Sequence, residues 1–592
     1  MCGICGWCVA PSESRDFGSL TALAHSLAHR GPDDSGECVD AGQGVAFAHN
    51  RLEIIDPTPG GHQPMATEDG SLVLNYNGEI YNFRPLRRQL EALGHSFRSA
   101  SDTEVLLRAW SQWGLGALDR IRGMFAFAIQ ERAHRRLVLA RDPMGMKPLY
   151  WTSLPGGGGF VFASEVKAFL RLDGFRPRVN EHALRQYMTF GYTWDEQQTI
   201  FEGVYKLPPG HFMVVEEGMP RAPVRYFTPP PVTPVASEEP RIAELYEVLR
   251  EVVAEHLIAD VPVGLLLSGG LDSSLIAVLA ERSQRITTLT LGFRDSAVDE
   301  REYGRIVARH AGSDHHELFV SADELFEDVG EAVWAIDDLF GDWGVVTTRA
   351  LYRKAKELGL KVVLVGEGAD ELFGGYPQFE RARSSRGPID LRLFDLFRHY
   401  SGRRYGRGLG EFRSRMRSYL DQSGGDLVQA LRLFETQDQL PNNYVMKVDK
   451  ASMSLSIEAR APFLDRRIAE LAYRLPTDLL VRDGENKVAL RRMAERFDLL
   501  PREILDRPKH GAAIAASWMD SLPSFREMAR AEVLRPDGWA DRLGLRAAMT
   551  AYFDENRTGY RFPRAISIFR NTAWRLLLLN LWSRRYLGED RT

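Results

Sequence analysis

The sequence predicts two domains of different class, a layered α+β unit followed by an α/β unit built on a parallel sheet. Three observations predict this. Over roughly the first 225 residues, short apolar runs are separated by turn signals. The chain then stiffens at Pro229-Pro230-Pro231-Val232-Thr233-Pro234, because proline fixes φ and donates nothing to a ladder. Beyond that point, short apolar runs alternate with helical periodicity, the pattern of strands joined by crossover helices.

In the first domain, strands are expected at Val45–Ala48, Leu72–Tyr76, Met124–Ile129, Leu137–Ala140 and Phe160–Phe162, the last two joined across a turn carrying Gly156 to Gly159. Helical patterns fall at 83–93 and 103–113. The domain is assigned to 1–225, a Pro-rich linker to 226–240 and the second domain to 241–592. The second opens on Ile242, Leu245, Leu249, Val252, Val253 and Leu257 at helical spacing, a stripe that must pack on something. Strands are expected at 263–267, 286–291 and 362–365. After about 430 the text is mostly helical, so helices should wrap one side of the sheet.

Composition narrows the function. Of 592 residues, 44% are hydrophobic and 26% charged, which fits a soluble globular chain rather than a disordered or coiled-coil one. A formal charge of -5 supplies no basic field for nucleic acid. The run Leu576–Leu579 is far short of the ~20 apolar residues that span a bilayer. Four cysteines cannot form a disulfide framework and no leader pattern opens the chain, so a reducing, cytoplasmic setting is expected.

The sequence begins Met1-Cys2-Gly3-Ile4-Cys5-Gly6. Loss of Met1 would leave Cys2 with a thiol and a free α-amine, a nucleophile carrying its own base, so that no catalytic histidine is required. Cys2, Cys5 and Cys8 also have the spacing of a metal site, but such a site wants four ligands and Cys38 is the one cysteine left. Arg30-Gly31-Pro32-Asp33, His49-Asn50-Arg51-Leu52-Glu53-Ile54-Ile55-Asp56, Asn77-Gly78-Glu79, Ser101-Asp102-Thr103-Glu104, Arg141-Asp142-Pro143 and Lys147-Pro148-Leu149-Tyr150 follow in order. Together they resemble the glutaminase domain of class II glutamine amidotransferases, which implies an N-terminal-nucleophile fold of two stacked antiparallel sheets between helices. The resemblance implies glutamine contacts from Arg51, Leu52, Ile54, Ile55, Asn77, Gly78, Glu79 and Asp102. Arg51 is suited to a bidentate pair with the α-carboxylate, and Glu79 and Asp102 to the ammonium. Asn77 and the Gly78 N–H would form the oxyanion hole.

In the second domain, strand 263–267 runs into Ser268-Gly269-Gly270-Leu271-Asp272-Ser273-Ser274 ahead of a helix, which gathers backbone N–H groups where a phosphate can sit. No GxxxxGK[ST] occurs. A second loop, Val365-Gly366-Glu367-Gly368-Ala369-Asp370-Glu371, sets three carboxylates within five residues, which repel one another without a cation. With Glu458-Ala459-Arg460-Ala461-Pro462-Phe463-Leu464-Asp465, Lys487-Val488-Ala489-Leu490-Arg491 and Arg507-Pro508-Lys509-His510-Gly511, these motifs resemble the ATP pyrophosphatase-like domain of asparagine synthetases. The resemblance implies ATP contacts from Leu266, Ser268, Gly269, Gly270, Asp272, Ser273, Leu291, Val365 and Gly366. It also implies Mg²⁺ on Asp272 and Asp370, Glu367 acting in ammonia attack and Lys509 beside the transferred phosphate.

The chain departs from that family in places. Val365 stands where a serine is usual, Gly511-Ala512 replaces Gly-Phe, and Trp343-Gly344 replaces small polar residues near the acceptor, offering an aromatic face instead. Arg381 to Arg417 holds eleven arginines and no lysine, read either as a surface for an anionic acceptor or partner or as solvated helix faces. The expected activity is ATP-dependent amidation of a carboxylate with ammonia from glutamine, aspartate being the first acceptor to consider. A sugar acid or secondary metabolite is the alternative, and an inactive regulatory homologue the third reading. The expected partners are these small molecules and, as assembly, a homodimer.

Overall fold

The computed structural model describes residues 2–10, 18–233, 237–294, 300–401, 408–507, 519, 522–554 and 563–588. Its first domain is two antiparallel sheets face to face. The strands are β1 (Gly3–Val9), β2 (Asp34–Asp40), β3 (Val45–Arg51), β4 (Met65–Ala66), β5 (Leu72–Ile80), β6 (Gly123–Glu131), β7 (Arg136–Arg141), β8 (Tyr150–Ser153), β9 (Gly159–Ala163), β10 (Val204–Lys206), β11 (His211–Glu216), β12 (Met219–Pro220) and β13 (Val224–Arg225). One sheet has the order β10-β8-β9-β1-β3-β2 and the other β12-β11-β7-β6-β5-β4, with β13 also on β11.

Strand alternation builds the layers. In β1, Ile4 and Cys8 join Phe47, Val73, Ala126, Leu139, Phe162 and Met213 in a core between the sheets, while Cys5, Trp7 and Val9 face outward. The outer faces are covered by helix Gly18–Ser26 on one side and by Phe83–Ala92 and Asp102–Trp113 on the other. All seven residues of β1 are therefore buried.

One sequence expectation is corrected here. Leu137–Ala140 and Phe160–Phe162 lie in different sheets, and the glycine turn joins Phe160–Phe162 to β8, a strand of mixed polarity that the pattern did not reveal.

The second domain carries a parallel sheet of β14 (Val263–Leu266), β15 (Thr287–Phe293), β16 (Asp314–Val320), β17 (Val362–Leu364) and β18 (Glu458–Arg460), in the order β16-β15-β14-β17-β18. Neighbours are in parallel register, with Leu265 opposite Leu289's neighbour Thr288 and opposite Leu364. The chain leaves β14 first toward β15 and later returns to β14's other side as β17. That reversal of strand order opens a crevice at the carboxyl ends of β14 and β17, where open α/β sheets take their ligands.

The two domains meet across buried charge. Arg30 is fully buried and bonds Glu165 at 2.6 Å and both Asp449 oxygens at 2.9 and 3.1 Å. Lys450 meets Asp337 at 2.6 Å and Lys167 meets Glu165 at 2.7 Å. Isolated, each of these ions would lose several kcal/mol of hydration, so the pairing sets how the halves dock. Arg30→Met should lower stability by about 3–5 kcal/mol, because it removes the cation that bridges two buried carboxylates across the domains. Urea unfolding of the whole chain checks this, and a loss under about 1 kcal/mol would show that the seam is held by other contacts.

Candidate active site

Cys2 lies at the open end of β1, against the facing strand β5. Odd-numbered residues of β5 point between the sheets, which brings Asn75 and Asn77 beside β1 and β3. The Cys2 backbone N–H donates to Asn77 Oδ1 at 2.9 Å, and Asn77 Nδ2 is buried without a partner among the described residues. Arg30 Nε donates to the Cys2 carbonyl at 3.1 Å. A small pocket opens beside the thiol. Its lining includes Arg51, Leu52, Ile54, Ile55, Gly78, Glu79 and Asp102, so the glutamine set expected from the sequence converges on one cavity except for Asn77, which bonds the Cys2 backbone instead of lining it.

His49 also reaches Cys2, in a role the sequence did not assign. Its Nδ1 is 2.8 Å from Asn75 Oδ1, which leaves Nε2 buried and unpartnered by any hydrogen bond of good geometry. Burial pushes the Cys2 thiol up, but His49 and the positive charge at the start of the chain outweigh it and bring the thiol down to about 7. Burial pushes the Cys5, Cys8 and Cys38 thiols upward, and the three do not form a metal cluster among the described residues.

Arg51 differs from expectation. Nη1 donates to Glu53 and the Thr58 carbonyl, and Nη2 to the carbonyls of Ile55 and Asp56, at 2.5–3.3 Å. With both terminal nitrogens engaged by its own loop, the fork first shapes the pocket wall. Gly61 permits this, since a Cβ there would lie 1.8 Å from Arg51 Nη2. Asp102 opens helix Asp102–Trp113 and accepts from the Tyr76 hydroxyl at 2.8 Å and the Ile80 N–H at 3.0 Å. Burial raises the carboxyls of both Asp102 and Glu79, and Arg460 of the second domain opposes the rise, bonding Glu79 at 3.1 Å.

The second site occupies the crevice at β14 and β17. Ser268–Gly270 form the turn into helix Leu271–Glu281, with Ser268 Oγ 3.1 Å from Ser273 Oγ. Gly269 has φ +67°, and a Cβ there would meet Tyr303 at 2.5 Å, so only glycine fits. Because β14 and β17 are neighbours, Asp272 and Asp370 arrive together and share one cation, Lys487 Nζ, at 2.6 and 2.7 Å. Lys487 stands in a motif noted in the sequence, but nothing there linked it to either aspartate. Two carboxylates on one cation are the hard oxygen donors that Mg²⁺ accepts alongside phosphate oxygens. Leu266 and Leu291 are half-buried at adjacent strand ends. Gly366 sits over Asp272, at 3.2 Å from a would-be Cβ to the aspartate Cβ.

Glu367 lies 3.7 Å from Lys447, which also meets Asp342 at 3.6 Å. Burial raises the Glu367 carboxyl and Lys447 opposes it. Val365 is part of the core and donates its N–H to the Arg460 carbonyl at 2.9 Å. Trp343 stacks on Trp574 with centroids 4.0 Å apart and planes at 12°, so one face of the indole is already covered. Lys509, with Gly511 and Ala512, lies outside the described residues. In the arginine-rich segment, Arg383 pairs with Asp478, Arg415 with Asp438 and Glu196, and Arg417 with Asp390, which favours partnered helix faces over an anion surface.

A sandwich holding an N-terminal cysteine and a parallel-sheet crevice holding paired aspartates define an enzyme with two active sites, an amidotransferase joined to a ligase. The profile of the glutamine amidotransferase domain matches residues 1–227, and that of asparagine synthase matches 244–584. The asparagine synthetase (glutamine-hydrolyzing) 1 of Bacillus subtilis (strain 168) is 31% identical over 83% of this chain and 83% of its own. A Mycobacterium tuberculosis (strain ATCC 25618 / H37Rv) protein, provisionally named as such a synthetase, is 34% identical over 98% of this chain and 97% of its own. A solved glutamine phosphoribosylpyrophosphate amidotransferase from B. subtilis covers 61% of this chain and 80% of its own, at 17% identity and a TM-score of 0.28. The chain belongs to the glutamine-hydrolysing asparagine synthetase family.

The thiol generates a prediction. Alkylation of Cys2 by iodoacetamide should rise through an inflection near 7, since the thiolate is the reactive form. In His49→Asn the inflection should move upward. An inflection already near the ordinary ~8.5 in the unmodified protein would remove His49 from the site.

Proposed function

We propose that residues 1–225 hydrolyse glutamine at Cys2 and that residues 241–592 adenylate a carboxylate, aspartate first among the candidates, and amidate it with the released ammonia. The products are then asparagine, AMP, pyrophosphate and glutamate. The observation that carries this reading is the convergence of Asp272 and Asp370 on one cation at the strand-order reversal, in a chain whose other half sets Cys2 against Asn77.

At the first site, the Cys2 α-amine, once Met1 is removed, takes the thiol proton, and sulfur attacks the glutamine side-chain carbonyl carbon. Asn77 Nδ2, buried and unpartnered, and the Gly78 N–H are suited to hold the oxyanion, where one such donor contributes on the order of 10²–10³ in rate. Ammonia leaves, and water releases glutamate from the thioester. Glu79 and Asp102 receive the substrate ammonium, and Arg51, on giving up part of its loop contacts, its carboxylate.

At the second site, Ser268, Gly269, Gly270 and Ser273 would hold the ATP phosphates, with Leu266, Leu291, Val365 and Gly366 around the nucleoside. Mg²⁺ would sit on Asp272 and Asp370 and neutralise phosphate charge when bound. Lys487 is the cation this chain supplies there. Glu367, held near Lys447, is positioned to act on the incoming ammonia, and Lys509 is assigned to the transferred phosphate. A cytoplasmic enzyme acting on small molecules, with a homodimer as its assembly, fits this chemistry. No helix among the described residues is long and apolar enough to cross a membrane. A different carboxylate acceptor is the second reading, resting on Val365 and Trp343-Gly344. The stacking of Trp343 on Trp574 weakens the idea of an open aromatic platform.

Two measurements test the proposal. Cys2→Ala should abolish glutamine hydrolysis yet leave ammonium-driven release of AMP and pyrophosphate, assayed across a panel of carboxylates; ADP with phosphate, or full glutamine use by the variant, would sink it. Asp370→Asn should raise the KM for Mg-ATP at least about tenfold while glutamine hydrolysis stays within about twofold, because only one site loses an oxygen ligand.

A further inference from the structure

Strand β18 belongs to the synthetase domain, yet its side chains face the other active site. Every residue lining the cavity beside Cys2 comes from the first 103 positions, except Glu458. Arg460, two residues on and on the same face, is fully buried. Its Nε donates to Glu458 Oε1 at 2.6 Å, Nη1 to the carbonyls of His256 and Ile258 at 2.7 Å each, and Nη2 to Glu79 Oε2 at 3.1 Å. Tyr81 stacks on His256 with centroids 3.7 Å apart and lies 5.6 Å from the Arg460 guanidinium carbon, which closes the other side of the group.

We propose that Arg460 is a positioning residue of the glutamine site, delivered by the synthetase domain, and that it holds the Glu79 carboxylate where the substrate ammonium is received. The inference rests on the reading of this cavity as the glutamine site. Three carboxylates, Glu79, Asp102 and Glu458, surround the cavity, and Arg460 bonds two of them. Burial and the like charges of Asp102 and Glu458 push the Glu79 carboxyl toward its neutral form, a poor partner for an ammonium, and Arg460 is the foremost charge opposing that push. The planar fork matters as much as the charge. Arg460 reaches four oxygens in three directions, whereas a lysine offers its donors from a single nitrogen. The backbone of the same residue accepts from Val365 at the head of the second acidic loop, so the strand that orients Glu79 is also built into the nucleotide site.

The test uses the full chain with Arg460→Lys, Glu79→Gln and the double variant. Steady-state glutamine hydrolysis and ammonium-driven pyrophosphate release are measured side by side. In Arg460→Lys the KM for glutamine should rise tenfold or more, with kcat and ammonium-driven synthesis each within about threefold, and the double variant should be no worse than Glu79→Gln alone. An unchanged KM in Arg460→Lys while Glu79→Gln raises it overturns the inference, as do additive losses in the double variant or a parallel fall of both activities. If Glu79→Gln itself leaves KM unchanged, the reading of the cavity fails and the inference falls with it. Should Arg460→Lys not fold, Glu458→Gln decides. It exchanges the charged acceptor of the Nε–H for a weaker neutral amide oxygen and loosens the fork, so KM should rise at least threefold with ammonium-driven synthesis intact, and an unchanged KM is again the overturning result.

Discussion

Ions removed from water hold this molecule in one arrangement. Between the halves lie Arg30, Lys147, Glu165 and Lys167 from the first domain and Asp337, Asp449 and Lys450 from the second, all nearly inaccessible. Low-dielectric burial of that many charges is tolerable only when each keeps an oppositely charged partner close by, so the docking of the domains has little freedom. Helix Val445–Met453 shows the result. Asp449 binds Arg30, whose Nε holds the Cys2 carbonyl, while Lys447, two residues earlier, meets Asp342 and Glu367. One rigid element thus touches the surroundings of both sites.

Within each domain, a topological fact brings the chemistry together. In the sandwich, β1 and β5 lie in facing sheets, so Cys2 and Asn77, seventy-five residues apart, share a hydrogen bond. In the parallel sheet, β14 and β17 are adjacent although about a hundred residues separate them in the chain, so two acidic loops open onto one crevice. Neither site is built by a single motif. Each arises where two strand ends are forced side by side.

Alternation and periodicity were sufficient wherever side chains sort by polarity. The strands at 45–51, 72–80 and 123–131 and the helices at 83–92 and 102–113 were readable for that reason. β16 and β18 were not. His315, His316 and Glu317 make β16 read as a polar loop, and Glu458 and Arg460 are charges that sequence rules place in solvent. They are buried because Arg460 bonds both Glu458 and Glu79, a relation across hundreds of residues that no local pattern carries. The site followed the same division. The motif residues were identifiable, but the cation between Asp272 and Asp370, the imidazole beside Cys2 and the loop carbonyls that occupy Arg51 depend on tertiary contact.

The place of β1 in its sheet has a consequence for biosynthesis. β1 is an interior strand, flanked by β3 on one side and by β9, a much later segment of the chain, on the other. At synthesis rates of roughly 5–20 residues per second, the second flank emerges about eight to thirty seconds after β1. During that interval β1 has no finished slot, and the chain on its amino-terminal side stays open to processing enzymes. Afterwards Cys2 is 6% exposed and its nitrogen is bonded to Asn77, so any trimming on which the proposed nucleophile depends belongs to the nascent chain and not to the completed fold.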